Sequence, residues 1–307
     1  MVDIFADLNN KQREAVLNTE GPLLILAGAG SGKTRVLVHR IAHIIKEKKA
    51  NPAEILALTF TNKAAEEMKT RVKDLVKYEK GMWVTTFHAA GVRILRRHAP
   101  KIGIESNFTI LDAQEQRKLV KDCLKELNID NKRFHPNAIL KVISSAKNEL
   151  SDSESFIPGD YFQNKAMEVF KLYEKKKKLA CCLDFDDLIM LTVKLFREYP
   201  EVLAEYQQRF KYILVDEYQD TNYAQYVMIT LLASYRKNLC VVGDDDQSIY
   251  QFRGADLRNI LEFEKDYPEA YIIKLEENYR SYGNILEAAN SVVKNNCARK
   301  EKKLWTQ

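Results

Sequence analysis

Long apolar runs are missing from this chain, and so are the residues that mark fibrous or loop-dominated proteins. No stretch approaches the ~18 consecutive apolar residues of a membrane span, so none is expected. Eleven glycines and seven prolines in 307 residues are too few for a collagen-like or low-complexity chain. The five cysteines, Cys123, Cys181, Cys182, Cys240 and Cys297, are odd in number and contain no C-x-x-C pair. One pair is adjacent, which rarely permits a bridge. The expectation is a reduced, cytoplasmic protein. From Met1 to Asp7 no basic region leads into an apolar stretch, so no leader or anchor is expected. Nor does charge of one sign dominate: 48 Lys and Arg against 43 Asp and Glu leave +5, which permits a polyanionic partner without requiring one.

What is present is a globular composition, 46% hydrophobic and 30% charged, on a chain of 307 residues, long enough for about two domains. Short apolar runs recur at Leu23 to Leu26, Ile55 to Leu58, Trp83 to Phe87, Tyr212 to Val215, Leu239 to Val242 and Tyr271 to Leu275. They predict buried strands. Most lead into helically spaced apolar residues, such as Val36, Ile41, Ile44 and Ile45, so the fold class is α/β with a parallel sheet covered on both faces. The polar clusters follow the carboxyl ends of these strands, where open α/β sheets bind ligands. From His88 to about Arg209 strand signals nearly vanish and Lys, Glu and Leu take amphipathic spacing, with breaks near Pro100, Pro136 and Pro158. This predicts an inserted all-helical subdomain.

The segment LLILAGAGSGKT, Leu23 to Thr34, reads as strand, glycine-rich turn and helix start, the setting that gives a P-loop match its meaning. Ala27 replaces the usual first glycine, which is tolerable at negative φ, because the demanding positions are Gly28, Gly30 and Gly32. Backbone N–H groups along Ala27, Gly28, Ala29, Gly30, Ser31 and Gly32, backed by a helix N-terminus, would cradle β- and γ-phosphates. Lys33 supplies a point charge and Thr34 a hydroxyl for Mg²⁺. A P-loop needs a metal-holding acid, and the strand ending at Asp216 and Glu217 offers one: Asp216 for Mg²⁺, Glu217 to orient or deprotonate water. Gly243 to Gly254 follows the next strand. Gln247 carries an amide able to sense a γ-phosphate, and Tyr250, Phe252 and Arg253 offer planes on which bases stack. The plainer alternative has Tyr250 and Phe252 packed beneath a loop. The acids Asp244, Asp245 and Asp246 suggest a solvated loop or, less simply, a metal site.

Other signals are weaker. His39 and His43 stand at i, i+4 on the helix after the P-loop, without the intervening Glu of a zinc-binding H-E-x-x-H. Lysines 46–49 and 175–178 read as solvated helix faces or duplex-phosphate contacts, the second run being the better candidate. The Leu304-Trp305 pair is expected to lack anything to pack against, as if the chain were cut inside a further domain.

The ordered motifs resemble the UvrD/Rep/PcrA family of superfamily 1A DNA helicases, in its amino-terminal half. Leu8-Asn9 with Gln12 and Ala15, Ala27 to Thr34, Thr59 to Ala65, Thr86 to His88, Leu183 to Leu188, Val215 to Asp220, Gly243 to Gly254 and Glu277 to Ser281 fall in family order. The resemblance implies a RecA-like P-loop NTPase domain over 1–87 and 210–276, a helical insertion over 88–209, and the opening of a second RecA-like domain over 277–307. It implies ATP and Mg²⁺ as cofactors, with Gln12 reading adenine, Arg35 and Tyr279 flanking the nucleotide and Arg280 reaching the γ-phosphate. Phe60, Asn62, Lys63 and His88, with Tyr250, Phe252 and Arg253, would touch single-stranded DNA. Where the family usually has Trp, this chain has Phe252, a smaller stacking face.

The implied activity is ATP-dependent 3′ to 5′ helicase translocation on single strands and at single-strand/duplex junctions, in repair or replication. Protein partners are unspecified and no membrane is implied. A fragment without the second motor domain, which brings a further arginine to the cleft, is expected to hydrolyse ATP poorly. From the residues alone, a P-loop phosphotransferase and a non-enzymatic nucleotide and strand-binding module stay open.

Overall fold

The computed structural model describes residues 3–77, 81–296 and 299–307, with the backbone but not the side chain of Arg253. Cys297 lies outside the described residues. The strands are β1 (Leu23–Ala27), β2 (Ile55–Thr59), β3 (Trp83–Thr86), β4 (Thr109–Ile110), β5 (Cys182–Leu183), β6 (Tyr212–Val215), β7 (Leu239–Gly243) and β8 (Tyr271–Leu275). The major helices are α1 (Asn10–Leu17), α2 (Lys33–Lys46), α3 (Asn62–Val76), α4 (Phe87–His98), α5 (Ala113–Glu126), α6 (Pro136–Asn148), α7 (Tyr161–Leu179), α8 (Phe185–Glu198), α9 (Pro200–Arg209) and α10 (Tyr223–Ala233). None in the described residues is long and apolar enough to cross a membrane.

Two compact units emerge. The first comprises Met1–Phe87, Ala204–Thr221 and Ile229–Gln307 and carries a six-stranded sheet ordered β3-β2-β6-β7-β1-β8. Every pairing in it is parallel. The apolar runs build it because a parallel strand covered on both faces needs apolar residues at consecutive positions, and β1, β2, β6 and β7 are buried throughout. Alternate residues share a face. Leu23, Ile25 and Ala27, Ile55 and Ala57, Leu214, Cys240 and Val242, and Ile273 and Leu275 join one core with Val36, Leu37, Ile41 and Ile44 of α2 and Met68 and Val72 of α3. One parallel orientation sends the carboxyl ends of all six strands to one edge, and the polar loops start there.

The same unit contains a buried charge that the amphipathic pattern concealed. Arg40, on the core side of α2, donates to the carbonyls of Ala15 at 2.7 Å and Thr19 at 3.1 Å, and to that of Asn18. It satisfies the orphan acceptors at the end of α1, where a cation also suits the helix dipole.

The second unit comprises His88–Leu203 and Asn222–Met228. Its core joins Val120, Cys123 and Leu124 of α5 to Ile139, Ile143 and Ala146 of α6 and Ala166, Val169, Phe170 and Tyr173 of α7. It is helical as expected, with one correction to the all-helical reading: β4 and β5 pair in parallel over two residues, too short a pairing to leave a periodic signal.

A second correction concerns the lysine run. Lys177 is buried and meets Asp184 at 2.8 Å, Glu174 at 2.9 Å and Asp187. Lys147 joins the same group, at 2.6 Å from Asp184 and 2.7 Å from Asp187 and Glu174. Asp184 and Asp187 also form the capping box of α8. The Leu183–Leu188 motif is thus in part an internal ion network, and the two ammonium groups fill the acidic site that would otherwise suit a metal.

Candidate active site

Between β1 and α2 the chain needs two left-handed residues, and glycine supplies both: Gly30 at φ +73° and Gly32 at φ +90°. A side chain at Gly30 would meet Asn278 at 2.6 Å, and one at Gly32 would meet the amide of Gln12 at 2.8 Å. Ala27 ends β1 and is not among the positive-φ residues, so its replacement of glycine carries no strain. The loop's carbonyls are pinned outward. That of Gly28 accepts from Ser31 Oγ at 2.7 Å, Ala29 from Asn278 Nδ2, Gly30 from the Tyr279 N–H at 3.0 Å and Ser31 from Gln12 Nε2 at 2.9 Å. The N-terminus of α2 has no side-chain cap, so its donors remain for an anion.

Lys33 leads α2, and its Nζ lies 3.4 Å from Oε2 of Glu217. Thr34 Oγ1 donates to Asp216 Oδ2 at 3.4 Å. Two loops on either side of β7 therefore bring ammonium, hydroxyl and two carboxylates together. Glu217 sits at φ +50°, a conformation held against its steric preference, as functional turns often are. Burial, with the neighbouring Glu217 charge, pushes the Asp216 carboxyl up to about 6. A buried carboxylate beside a hydroxyl is a hard-oxygen donor set that suits a small divalent cation.

Beyond the two acids, Gln219 had no assigned role. Its Nε2 donates to Glu217 Oε2 at 3.0 Å and Asp220 Oδ2 at 3.2 Å, while its Oε1 accepts from the Asp244 N–H at 3.0 Å. It ties the acidic turn to the loop after β7. In that loop Gln247 Nε2 donates to Asp244 Oδ2. The reading of Asp244 to Asp246 as a solvated or metal-binding loop is corrected: Lys302 lies 2.8 Å from both Asp244 and Asp246 and also bonds Asp245, so protein cations already occupy the triad. Nor are Leu304 and Trp305 without neighbours. A side chain at Gly28 would strike Leu304, and the Trp305 N–H donates to the Glu276 carbonyl at 3.0 Å. Segment 277–307 belongs with the sheet-bearing unit.

The base end of the cradle is less open than the spacing suggested. Gln12 is fully buried, and its amide serves both the α1 capping box with Asn9 and the Ser31 carbonyl. Asn9 Nδ2 in turn donates to Tyr279 OH at 2.8 Å. Tyr279 and Arg280 are exposed beside the loop, and Arg35, also exposed, donates to the Asp7 carbonyl at 3.4 Å. Asn278 is the residue that sequence reasoning passed over. Its Oδ1 accepts from the N–H groups of Arg280 and Ser281 at 2.8 Å each, fixing the turn that presents Arg280.

On the same sheet edge Phe60 follows β2, half-buried, with its ring edge-on to Phe87 at 5.9 Å, and Asn62 and Lys63 are exposed. Tyr250 is 37% and Phe252 69% exposed; they do not pack beneath a loop. The Arg253 side chain lies outside the described residues. His88 begins the helical unit, its ring 5.7 Å from that of Phe185, which is 49% exposed. Burial lowers the His88 pKa. The spaced pair on α2 does not converge: His39 Nδ1 meets the Ile4 carbonyl at 2.6 Å, whereas His43 rests edge-on against Phe5.

The UvrD/REP helicase N-terminal domain model matches residues 8–268. The ATP-dependent DNA helicase PcrA of Bacillus subtilis strain 168 is 56% identical over 307 residues, 99% of this chain and 42% of that relative. The proteins of the same name from Staphylococcus epidermidis strain ATCC 12228 and Staphylococcus aureus strain NCTC 8325 are 57% identical over 303 residues. These matches cover 98% and 97% of this chain and 42% and 41% of those relatives. The chain thus spans about two fifths of the length of the curated relatives it matches. With the family model covering most of its residues, the chain belongs to the UvrD/REP helicase N-terminal domain family.

Proposed function

We propose that this chain binds ATP and single-stranded DNA as the first motor domain and helical insertion of an ATP-dependent DNA helicase. One observation carries the reading: Lys33, Thr34, Asp216 and Glu217 converge at the mouth of the glycine turn, while the sheet edge that bears them also presents Tyr250 and Phe252. A phosphate site and exposed aromatic planes share one scaffold.

In the proposed mechanism the uncapped α2 N-terminus and Lys33 hold the phosphates, and Arg280 approaches the γ-phosphate from the turn that Asn278 fixes. Thr34 and Asp216 would hold Mg²⁺, which when bound would neutralise phosphate charge. Glu217 orients the attacking water and accepts its proton, and Lys33, its counter-ion here, turns to the phosphates instead. Tyr279 offers its ring to the base, and Gln12 keeps one amide N–H for the adenine edge. Phe60, Tyr250 and Phe252, with Asn62, Lys63 and Arg253, bind the strand through stacking and backbone contacts common to all bases. His88 and Phe185 offer rings of their own in the insertion. Closure of the cleft by a second motor domain, which the family likeness implies, would raise turnover above that of this chain alone. We extend the proposal, on the family likeness, to 3′ to 5′ polarity, a preference for single-strand/duplex junctions, a place in repair or replication and a cytoplasmic location.

The test is ATP hydrolysis by this chain with and without oligo-dT, alongside Lys33→Ala. Low turnover with weak strand-dependent stimulation is expected, lost in Lys33→Ala while strand binding is retained, and robust strand-stimulated turnover by this chain would refute the need for a second motor domain. Hydrolysis indifferent to the strand would favour a phosphotransferase, and strand binding with no nucleotide response a passive binding module.

A further inference from the structure

Three consecutive carboxylates follow β7, and their oxygens lie within 4.8 Å of one another. Asp244 and Asp245 are buried. Like charges so close, out of water, would spread apart or take up protons unless cations met them. The cations come from far along the chain. Lys302, itself 2% exposed on its side chain, bridges all three acids. Arg299 Nη2 donates to Asp246 at 2.8 Å, and the Lys300 N–H donates to Asp245 Oδ2 at 2.6 Å.

One arm of this knot reaches the chemistry. Asp244 uses Oδ1 for Lys302 and Oδ2 for the amide of Gln247, and its backbone N–H bonds Gln219, which bonds Glu217. Two residues beyond Lys302, Leu304 lies over Gly28 of the phosphate loop. We propose that Lys302 is a positioning residue: by neutralising Asp244 it fixes the Gln247 amide toward the γ-phosphate, and the segment 299–305 straps the loop after β7 to the phosphate loop. The inference rests on the proposed nucleotide site and on Gln247 sensing the γ-phosphate there, the role its amide suggests from the sequence. Gln247 has two amide N–H groups; Asp244 takes one, leaving the other directed by that bond. Without Lys302 the Asp244 carboxylate would turn toward water and carry Gln247 with it.

The experiment compares affinities of this chain for a fluorescent non-hydrolysable ATP analogue and for the matching ADP, in Lys302→Met, Lys302→Arg and the double variant Lys302→Met with Asp245→Asn. Lys302→Met is expected to lose about tenfold in preference for the triphosphate, the scale of one charge-assisted hydrogen bond, with ADP affinity unchanged. Lys302→Arg should retain part of the preference. Asp245→Asn in the Lys302→Met background should restore much of it by removing one repelling charge, an effect a general folding defect would not produce. Unchanged preference in Lys302→Met would overturn the inference, and so would a parallel loss of ADP affinity that the second substitution leaves uncorrected. A wild-type chain that binds nucleotide but does not prefer the triphosphate would overturn the sensing role of Gln247 and this inference with it. Binding of neither nucleotide would overturn the reading of the phosphate loop itself.

Discussion

Lys33 Nζ stands 3.4 Å from Glu217 Oε2, so the ammonium that is to meet phosphate and the carboxylate that is to activate water are each other's counter-ions. In the proposed mechanism nucleotide would compete for Lys33, and its arrival would free Glu217 to act as a base. Glu217→Gln removes the basic oxygen but keeps a group of the same shape that can still accept from Gln219. Turnover should fall by about 10²–10⁴, the usual worth of a positioned general base, while nucleotide affinity holds or rises as Lys33 loses its competitor. Single-turnover hydrolysis paired with an equilibrium nucleotide titration checks both halves; weakened binding would assign Glu217 to ligand holding.

The phosphate loop allows a steric prediction with its own control. Gly30→Ala places a methyl at φ +73° and 2.6 Å from Asn278, so it should strain the loop by about 1–2 kcal/mol and sharply weaken nucleotide binding. Gly283, at the start of the helix Gly283–Val293, has no positive φ, and a methyl added there would meet nothing within 4 Å. Gly283→Ala should leave binding intact and stabilise by about 0.5–1 kcal/mol. Melting curves with and without nucleotide separate the two, and equal behaviour would remove the steric account of the turn.

Phe252 offers the most exposed aromatic face of the loop after β7. Phe252→Ala should weaken single-strand binding by about 1–3 kcal/mol, the worth of one stacked base, with hydrolysis in the absence of a strand unchanged. Phe252→Trp should strengthen it by enlarging the face. Fluorescence anisotropy with labelled oligo-dT reads the effect, and equal affinities across the three proteins would return Phe252 to an incidental surface position.

Local signals made much of this legible. The six sheet strands lie within a residue of the apolar runs at each end, most plainly for β1, β2, β6 and β7, because a parallel strand buried on both faces leaves a continuous apolar word. Of the three demanding glycines, Gly30 and Gly32 stand where positive φ requires them, whereas Gly28 has no positive φ and is confined by Leu304 instead. Partners far apart in sequence were not legible. Nothing near Asp244 announces Lys302, nothing near Lys177 announces Asp187 as its counter-ion, and Arg40 reads as one more polar residue of an amphipathic helix. Their pairing depends on tertiary placement, to which no local period responds. Asn278 was hidden for a different reason: it stood inside a recognised motif, beside the more conspicuous Tyr279 and Arg280.

Asp186 gives the insertion a pH signature of its own. Burial, reinforced by the Asp184 charge, pushes its carboxyl up to about 6 from an ordinary value of 3.8. The folded unit therefore holds that proton more tightly than the unfolded chain. Below about pH 4 both states are protonated and the group contributes nothing to the balance. As pH rises toward 6 the unfolded chain ionises first, so stability falls, by up to about 3 kcal/mol once the folded carboxyl has ionised too. The paired Asp184 works in the opposite sense: burial opposes its charge, but Lys147 and Lys177 outweigh that and hold its pKa below the usual range, so its contribution is present at neutral pH and is lost in strong acid. Asp186→Asn isolates the first effect. It should raise stability at pH 7 to 8, and the gain should vanish near pH 4. Urea denaturation of both proteins across that range provides the check, and a gain that does not change with pH would show that the amide stabilises by packing or hydrogen bonding instead of by removing a buried charge.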